Sequence, residues 1–574
     1  MYILGINAGH NATACLLKDG KIIGCVSEER FSRIKNHSGF PTKSVEFLLS
    51  NEGITSNKID QVVLDNNFKK NPYSDTKFLE AYTKKSKKDK FLSWLGYRYP
   101  GIFNEYLKKK TPLIKNRKYK NSFGVRKKIS DLLKISIDKI MIVDHHVLHA
   151  LSCCFNLPKD KKTLIFTLDG EGDGLCATIN IFDGKKLKTI SRTDKSASLG
   201  YLYSIATIYL GMKPLQHEFK VMGLAPYAKE NNINKIYSKF DKLFVVDDNL
   251  AFKSKFNMPF ADHFLKKEMR YVRFDILSGA IQKLVEEKTK EWVRKVIKKT
   301  GIRDIALAGG VFMNVKANQK ISEMDEVNSL YIMPSCGDES NAIGACFWGY
   351  NSSSKGLIFP IEHLYLGPEY GNEYIENLIK KETLNEKYNI KFYKDINREI
   401  AELLAKGYIV ARCSGKSEWG ARALGNKSIL ASPKDSDTVR VLNETIKDRD
   451  FWMPFTPSIL DSSEKDYIYN PKKIKANFMI ITFESTKKAQ KDLPAAMHPY
   501  DFTLRPQIVK KEHNSDYHEI ISQFKKITGI GGVLNTSFNL HGEPNVLTPE
   551  DALRTVENSD LKFLVMENFL FEKK

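Results

Sequence analysis

The feature that most constrains the fold is a strand, turn and strand unit that occurs twice in the first part of the chain. The two turns are Asp19-Gly20 and Asp183-Gly184, and the flanking apolar runs are residues 14–17, 21–26, 178–182 and 187–192. Asp-Gly between two such runs is a strong signal for a β-hairpin. The repeat therefore predicts two similar α/β halves, each of which begins with a hairpin.

A strand at residues 2–6 and a loop of small polar residues precede the first hairpin. This opening is typical of actin-like ATPases, in which backbone N–H groups of the loop hold phosphate oxygens. A buried strand at residues 305–307 then leads to Gly309-Gly310, where the missing Cβ atoms let backbone approach a nucleotide. Glycine pairs also occur in plain turns, but the loop at Asp338 that follows favours a nucleotide crevice.

A cluster of histidines at Asp144-His145-His146-Val147-Leu148-His149 follows a strand-like run at residues 140–143. If the segment is helical from His145 onward, His145 and His149 share one face, with Cβ atoms roughly 5–6 Å apart. Asp169 and Asp338 each follow a further strand-like run. Two imidazoles and two carboxylates suit Fe(II), Mn(II) or Zn(II) rather than Ca(II). The alternative, that these histidines are only polar helix-start residues, is weakened by three histidines in five positions.

The size of the chain, 574 residues, predicts two or three domains. Residues 351–360 have the small, polar composition of a linker at their start. The sequence shows no apolar run long enough to span a membrane and no signal peptide at its start. The eight cysteines are scattered and form no CxxC pair, which predicts reduced thiols and a cytoplasmic location.

The formal net charge of +22 is concentrated in one stretch. Residues 69–128 hold 19 Lys and Arg against 4 Asp and Glu, a net +15, with aromatic residues interleaved. Such a stretch is either a solvated helical insertion or a surface for an anionic acceptor, a phosphorylated carrier or nucleic acid. Both interpretations stay open from the sequence.

The last 200 or so residues carry Lys and Arg singly among Gly, Ser, Thr and Asn, within the segments 415–426, 447–455, 498–507, 532–539 and 542–544. Fixed cations beside small hydrogen-bond donors are what an anion pocket requires. Gly415-Lys416-Ser417 is not a Walker A loop, because the first glycine of that pattern is absent. Five such islands predict a phosphate-binding pocket in an α+β region.

Together these segments resemble the O-carbamoyltransferase family, which includes nodulation-factor and antibiotic carbamoyltransferases. The residues that carry the resemblance are His10, the His145/His149 pair, residues 218–226, Gly309-Gly310-Val311, residues 336–339 and residues 420–425. The resemblance implies an α/β actin-like domain at residues 1–350, built from duplicated ribonuclease-H-like halves. It further implies a linker at 351–360 and an α+β YrdC-like domain at residues 361–574.

In this family the YrdC-like domain makes carbamoyl-adenylate from carbamoyl phosphate and Mg-ATP, and the actin-like domain passes the carbamoyl group to an acceptor hydroxyl beside a bound iron. The resemblance implies that His145, His149, Asp169 and Asp338 bind Fe(II), or Mn or Zn in its place. It also implies that Gly309, Gly310, Asn314 and Lys220 bind the adenylate. The implied carbamoyl phosphate and ATP site comprises Arg422, Lys447, Arg449, Ser458, Arg505 and Asn535, and the implied catalytic residues are His10, Lys220 and Arg449.

One departure from the family pattern concerns the usual His-Asp after the first strand, which reads His10-Asn11 here. It removes the carboxylate that relatives have at position 11. The basic stretch lies where relatives vary in their acceptor-binding parts, so the acceptor, a small molecule or glycan, is not identified. An actin-like sugar kinase or ATPase and a tRNA-binding threonylcarbamoyl-type protein remain alternative functions. The sequence leaves open whether the protein forms an oligomer.

Overall fold

In the computed structural model, residues 1–65, 86–354 and 356–574 are described, and for residues 108–122 the description covers the backbone only. These residues form two compact units. The first comprises Met1–Glu28 and Asn36–Pro360, and the second comprises Ile361–Lys574 together with the short segment Glu29–Lys35. The chain thus contributes to the second unit close to its start, which the sequence did not indicate.

The first unit contains two five-stranded sheets and a short hairpin. Their strands are β1 (Tyr2–Asn7), β2 (Thr13–Lys18), β3 (Lys21–Ser27), β4 (Gln61–Asp65), β5 (Ile140–Val143), β6 (Thr163–Gly172), β7 (Leu175–Phe182), β8 (Leu187–Asp194), β9 (Phe244–Val246), β10 (Phe252–Ser254), β11 (Asp304–Ala308) and β12 (Ser329–Ile332).

The two large sheets have the same topology. One has the order β3-β2-β1-β4-β5 and the other β8-β7-β6-β11-β12. In each, the first three strands of the sheet in sequence pair antiparallel, and two parallel strands extend the sheet beyond the first of them. This confirms the duplicated α/β arrangement that the repeated hairpin predicted.

The second unit is built on one mixed eight-stranded sheet in the order β13-β20-β19-β14-β15-β18-β16-β17. Its strands are β13 (Tyr388–Phe392), β14 (Val410–Cys413), β15 (Lys427–Ala431), β16 (Thr456–Leu460), β17 (Gln507–Val509), β18 (Gly532–Ser537), β19 (Phe563–Met566) and β20 (Phe569–Lys573). Apolar side chains such as Ile429, Leu534 and Leu564 are fully buried in its core.

The α-helices of the described residues are α1 (Glu29–Ser32), α2 (Thr42–Asn51), α3 (Lys87–Arg98), α4 (Pro100–Leu133), α5 (His145–Cys154), α6 (Leu199–Tyr209), α7 (Glu218–Leu224), α8 (Glu230–Asp241), α9 (Asp262–Glu268), α10 (Phe274–Thr300), α11 (Val315–Ser322), α12 (Ser340–Ser353), α13 (Asn372–Lys381), α14 (Ile396–Ala405), α15 (Asp437–Leu442), α16 (Glu464–Tyr467), α17 (Lys487–Asp492), α18 (Ser515–Thr528) and α19 (Pro549–Glu557). Among the described helices, none has the length and apolar character needed to cross a membrane.

Several elements differ in extent from their sequence-based predictions. The loop predicted from Asp169 onward is partly strand, because β6 continues through Gly172 with a shift in register after Leu168. Helix α12 runs to Ser353 and so includes the first three residues of the predicted linker.

Each of the eight cysteines is buried as a free thiol. Burial in apolar surroundings raises the pKa of several of them, including Cys15 and Cys154. A thiol that stays protonated is a poor nucleophile, so these residues serve as small apolar core side chains.

Candidate active site

The predicted histidine pair lies on α5, whose first residue is His145. Asp144 caps this helix, since its side chain accepts a hydrogen bond from the backbone N–H of Val147 at 3.1 Å. His145 and His149 are one turn apart, and both imidazoles are fully buried. Their Nε2 atoms lie 3.0 Å apart, so the shared helical face predicted from the spacing is confirmed.

Two carboxylates converge on these nitrogens. Asp169 Oδ2 lies 3.2 Å from His145 Nε2 and 3.6 Å from His149 Nε2. Asp338 follows β12, and its Oδ1 is 3.7 Å and 3.9 Å from the same two nitrogens. One ligand atom from each of the four residues lies within 4.8 Å of all the others. The structure therefore brings together the four residues that the sequence singled out.

A second layer of side chains holds the two imidazoles from behind. His145 Nδ1 is 3.2 Å from Asp65 Oδ2 and 3.0 Å from Asn341 Nδ2, and His149 Nδ1 is 3.0 Å from Ser340 Oγ. Because each Nδ1 is engaged in this way, each Nε2 can present its lone pair to the centre of the cluster. Two nitrogens and two carboxylates in this arrangement fit a divalent cation such as Fe(II), Mn(II) or Zn(II).

Burial and mutual charge set the protonation of this cluster. Burial disfavours a charged His145, but Asp169, Asp65 and Asp338 together raise its pKa well above the ordinary value. Burial likewise disfavours the Asp169 carboxylate, yet the two histidines hold its pKa well below the ordinary value. Burial and the neighbouring Asp169 charge raise the pKa of Asp338, and burial lowers that of His149. A cation at the centre would favour the deprotonated form of all four ligands.

His146 lies outside this cluster. Its Nδ1 is 2.9 Å from Thr167 Oγ1, and burial together with the charges of His145 and His149 lowers its pKa to about 3. The third histidine of the motif is therefore a neutral core residue.

Two glycines next to the cluster leave space for the side chains of its ligands. A Cβ at Gly172 would lie 2.1 Å from His145 Cδ2, and a Cβ at Gly310 would lie 2.8 Å from Asp169 Oδ1. Real Cβ atoms essentially never come within 3.0 Å of another heavy atom. Both ligands thus depend on the absence of a side chain nearby, which the ligand pattern alone does not reveal.

The loop that carries His10 is held in place by backbone hydrogen bonds. Ala12 donates to the carbonyl oxygen of His37 at 2.8 Å, and Gly9 accepts from Gly39 at 3.3 Å. Asn11 adopts a left-handed φ of 54° and donates to Glu339 Oε2 at 3.2 Å. This bond joins the His10 loop to the loop that supplies Asp338.

The predicted adenylate-binding residues lie in the same unit. Gly309 directly follows β11 and has a φ of 97°, and Gly310 comes next. Asn314 caps α11, and its amide also exchanges hydrogen bonds with Gln282 of α10 at 2.8 Å and 3.0 Å. Lys220 lies on α7, which packs against α10. Asn314 and Lys220 are thus both tied to α10, and part of the hydrogen-bonding capacity of Asn314 is already used within the protein.

In the second unit, the predicted arginines form a cluster of like charge. Burial lowers the pKa of Arg449 to about 10, with a further contribution from the charge of Arg422. Burial and the charges of Arg422 and Arg449 lower the pKa of Arg505 well below its ordinary value. Three half-buried guanidinium groups that repel each other are costly unless an anion joins them. Such an arrangement suits the binding of an anion.

Lys447 lies beside these arginines at the end of a π-helical turn, Asn443–Lys447. Its ammonium group donates to the carbonyl oxygen of Ser537 and, at 3.0 Å, to Asn539 Oδ1. Burial lowers its pKa well below the ordinary value, and the charges of Arg449 and Lys35 lower it further. An anion near Lys447 would favour the charged ammonium form.

Ser458 and Asn535 occupy adjacent strands, β16 and β18. Asn535 Nδ2 donates to Ser458 Oγ at 3.0 Å, and Ser458 Oγ donates to Gln507 Oε1 at 2.7 Å. Gln507 in turn donates to the carbonyl oxygen of Leu424 at 3.0 Å. The two predicted residues thus belong to one buried network that also fixes the backbone of the segment containing Arg422.

The basic stretch at residues 69–128 is described in part, as α3 and α4. Tyr97 and Phe103 pack against Phe256 and Phe260 of the first unit, with ring centroids 5.5 Å and 5.2 Å apart. The other aromatic side chains of α3, Phe91 and Trp94, are exposed, as are Tyr99 between the two helices and Tyr106 of α4. The lysines at 108–110 lie outside the described side chains.

Sequence reasoning missed the residues that support the site from behind. Asp65 ends β4, a place in the sequence where functional side chains are common, and Asn341 lies in the first turn of α12. A carboxylate at or shortly after the end of an apolar run was the signal for Asp169 and Asp338, and it applies equally to Asp65. Ser340 and Asn341 carry no comparable signal, because they are ordinary helix-start residues.

Curated proteins from several organisms are similar to this chain over most of its length. It is 31% identical to an uncharacterized protein, MJ1058, of Methanocaldococcus jannaschii, covering 97% of this chain and 96% of the relative. It is 28% identical to the nodulation protein NolNO of Sinorhizobium fredii, covering 98% of this chain and 79% of the relative. Among solved structures, HypF in its phosphate- and nucleotide-bound form shares 13% identity, covers 62% of this chain and 47% of that one, and has a TM-score of only 0.34.

Two family models match the chain. The first, described as carbamoyltransferase N-terminus, matches residues 2–347, and the second, described as carbamoyltransferase C-terminus, matches residues 401–573. The two matches leave little of the chain outside them, and they include all the candidate site residues. The chain therefore belongs to the carbamoyltransferase family of enzymes.

Proposed function

We propose that this carbamoyltransferase is an ATP-dependent O-carbamoyltransferase with two reaction sites. The second unit, a YrdC-like domain, forms carbamoyl-adenylate, and the first unit transfers the carbamoyl group to a hydroxyl of a small-molecule or glycan acceptor. The observation that carries this proposal is the cluster of three half-buried arginines, Arg422, Arg449 and Arg505, beside the buried Lys447. So many cations suit a substrate pair with several phosphate groups, ATP and carbamoyl phosphate.

The first reaction balances with one water molecule. Water releases inorganic phosphate from carbamoyl phosphate and leaves carbamate, and a carbamate oxygen then attacks the α-phosphorus of ATP and displaces pyrophosphate. Negative charge develops on the phosphate oxygens in both steps. Arg422, Arg449 and Arg505 hold fixed positive charge where that charge develops, which is the usual basis of phosphoryl-transfer catalysis. Arg449 stacks on Phe455, 5.0 Å from the ring centroid, and donates to Thr536 at 3.1 Å, so its orientation is fixed in advance.

The second reaction is an acyl transfer in the first unit. The acceptor oxygen attacks the carbamoyl carbon, AMP leaves, and the hydroxyl proton passes to a base. We assign that base to His10, which lies in the loop joined to the Asp338 loop through Asn11 and Glu339. The glycine pair at 309–310, with Lys220 and Asn314, would hold the AMP part of the donor. A divalent ion bound by His145, His149, Asp169 and Asp338 would polarise the carbamoyl carbonyl as a Lewis acid.

An analysis of released products tests this function. ATP, carbamoyl phosphate and the protein should yield pyrophosphate and inorganic phosphate, and AMP should follow once an acceptor is added. Release of ADP instead would identify a kinase or ATPase, and lack of any nucleotide turnover would contradict the adenylate mechanism. Arg449→Ala and Lys434→Ala form a matched pair for this assay, because Lys434 lies on the exposed surface of the same unit.

A further inference from the structure

The segment Glu29–Lys35, here called the strap, lies with the second unit although it follows β3 of the first. It comprises the short helix α1 and three residues after it. Two buried or half-buried arginines attach it to loops of the second unit. Arg30 Nη2 donates to the carbonyl oxygen of Gly420 at 2.9 Å, two residues before Arg422 of the anion pocket.

Arg33 fixes a second loop. Its guanidinium donates to the carbonyl oxygens of Asn545 at 2.6 Å and Pro544 at 2.9 Å. The same group pairs with Asp551 at 3.4 Å and Glu543 at 3.7 Å. Two hydrogen bonds and two ion pairs from one planar guanidinium define the position of the turn at residues 543–545 far better than a single contact would.

This turn leads directly to Lys447 of the anion pocket. The carbonyl oxygen of Glu543 accepts a hydrogen bond from Asn539 Nδ2 at 2.8 Å, and Asn539 Oδ1 accepts one from Lys447 Nζ at 3.0 Å. Lys35 Nζ lies 3.4 Å from the same Glu543 carbonyl oxygen. The ammonium groups of Lys35 and Lys447 are therefore linked through one asparagine and one shared carbonyl oxygen.

We propose that the strap completes the anion pocket of the second unit, with Lys35 as a further cation for substrate phosphate and Arg33 as a positioning residue for the turn at 543–545. The substrate class, phosphate esters such as ATP and carbamoyl phosphate, rests on the function proposed above. The charge of Lys35 is already felt at Lys447, whose pKa it helps to lower below the value that burial alone would give. A bound phosphate would relieve the repulsion between the two lysines.

The role of Lys35 is tested by binding of inorganic pyrophosphate, measured by calorimetry on the full-length protein. Lys35→Met should weaken this binding roughly tenfold or more, the value of a charge-assisted hydrogen bond, whereas Lys35→Arg should bind nearly as tightly as the wild type. Lys43→Met is the matched control, since Lys43 is an exposed lysine eight residues further along, and it should have no effect. If Lys35→Met does not fold, as judged from its thermal unfolding, Lys35→Gln replaces it. Wild-type affinity in the folded variant would overturn the assignment.

The role of Arg33 needs a readout that a loss of stability alone would not change. Arg33→Gln should raise the KM for carbamoyl phosphate with a smaller change in kcat, because the turn loses its position but the arginine cluster stays. Arg33→Lys keeps the charge opposite Asp551 but cannot serve both carbonyl oxygens, so it should restore the KM only in part. A lower Tm with an unchanged KM would show that Arg33 is merely structural.

The two proposals can fail separately. If pyrophosphate binding depends on Lys35 but the wild type releases no pyrophosphate from ATP, the anion pocket stands and the adenylate mechanism fails. If the wild type releases pyrophosphate and Lys35→Met binds and reacts unchanged, the mechanism stands and the strap proposal fails.

Discussion

A methyl group at position 172 should disable the metal cluster without removing a ligand. In Gly172→Ala the new Cβ would lie 2.1 Å from Cδ2, 2.4 Å from Cγ and 2.8 Å from Nε2 of His145, so the ring must move. That ring is fully buried, held by Asp65 and Asn341 through Nδ1, and packed edge-on against His149 at a centroid distance of 4.6 Å.

Overpacking of this kind typically costs about 1–3 kcal/mol. Because His145 Nε2 is the atom that must point at the cation, most of that cost should appear in metal affinity. A loss of about 1.4 kcal/mol per factor of ten converts this range to a roughly 5- to 150-fold weaker binding. The assay loads purified protein with Fe(II) or Zn(II) under competition from a chelator and measures bound metal by elemental analysis.

Gly170→Ala is the matched control, because a Cβ at Gly170 would meet nothing within 4 Å and the residue needs no positive φ. It should bind metal like the wild type. Equal metal affinity in the two variants would refute the reasoning that the clash displaces the ligand ring.

Three further predictions follow from the two sites and the exposed helical surface. His149→Ala should abolish metal binding and carbamoyl transfer but spare pyrophosphate release, and full metal content in the variant would contradict the ligand assignment. Because burial holds the folded pKa of Lys447 below its ordinary value of about 10.4, the unfolded chain binds more protons between the two values, so stability should rise with pH across that window; Lys447→Met should flatten the rise in a series of denaturant titrations. If the exposed side of α3 receives an anionic acceptor, neutralising Lys87 and Arg98 should weaken the salt dependence of the acceptor KM, while an unchanged KM at every salt concentration would show that this side is only solvated.

The parts of the site that sequence could predict are those that follow strands. Asp169 comes directly after an apolar run, Asp338 lies shortly after another, and His145 follows β5. Strand β5 belongs to one five-stranded sheet and β6 and β12 to the other, so the carboxyl ends of strands from both sheets supply the site. The i, i+4 spacing of the histidines needed only a helix to be correct.

The remaining parts depend on packing that local patterns do not encode. Asn341 is 196 residues from His145, to which it is hydrogen-bonded, and nothing in its immediate sequence distinguishes it from other helix-start residues. The continuation of β6 through Gly172 is imposed by pairing with Leu175 of β7, against the preference of a Gly- and Asp-rich segment for a loop. The charged residues of the strap follow no periodic pattern. Only their tertiary contacts show that the strap belongs to the second unit.

The strap has a consequence for how such an enzyme can be divided. A gene cut after Pro360 would give a second polypeptide in which Asp551 loses its ion pair with Arg33, while Glu543 keeps only its ion pair with Arg554. If the first polypeptide is supplied in trans, its seven residues Glu29–Lys35 must bind again to the second unit. Ordering them in a separate association step costs conformational entropy, whereas in the continuous chain they are ordered during folding. Natural or engineered splitting of the two halves should therefore succeed only where the cut polypeptide carries its own copy of these seven residues.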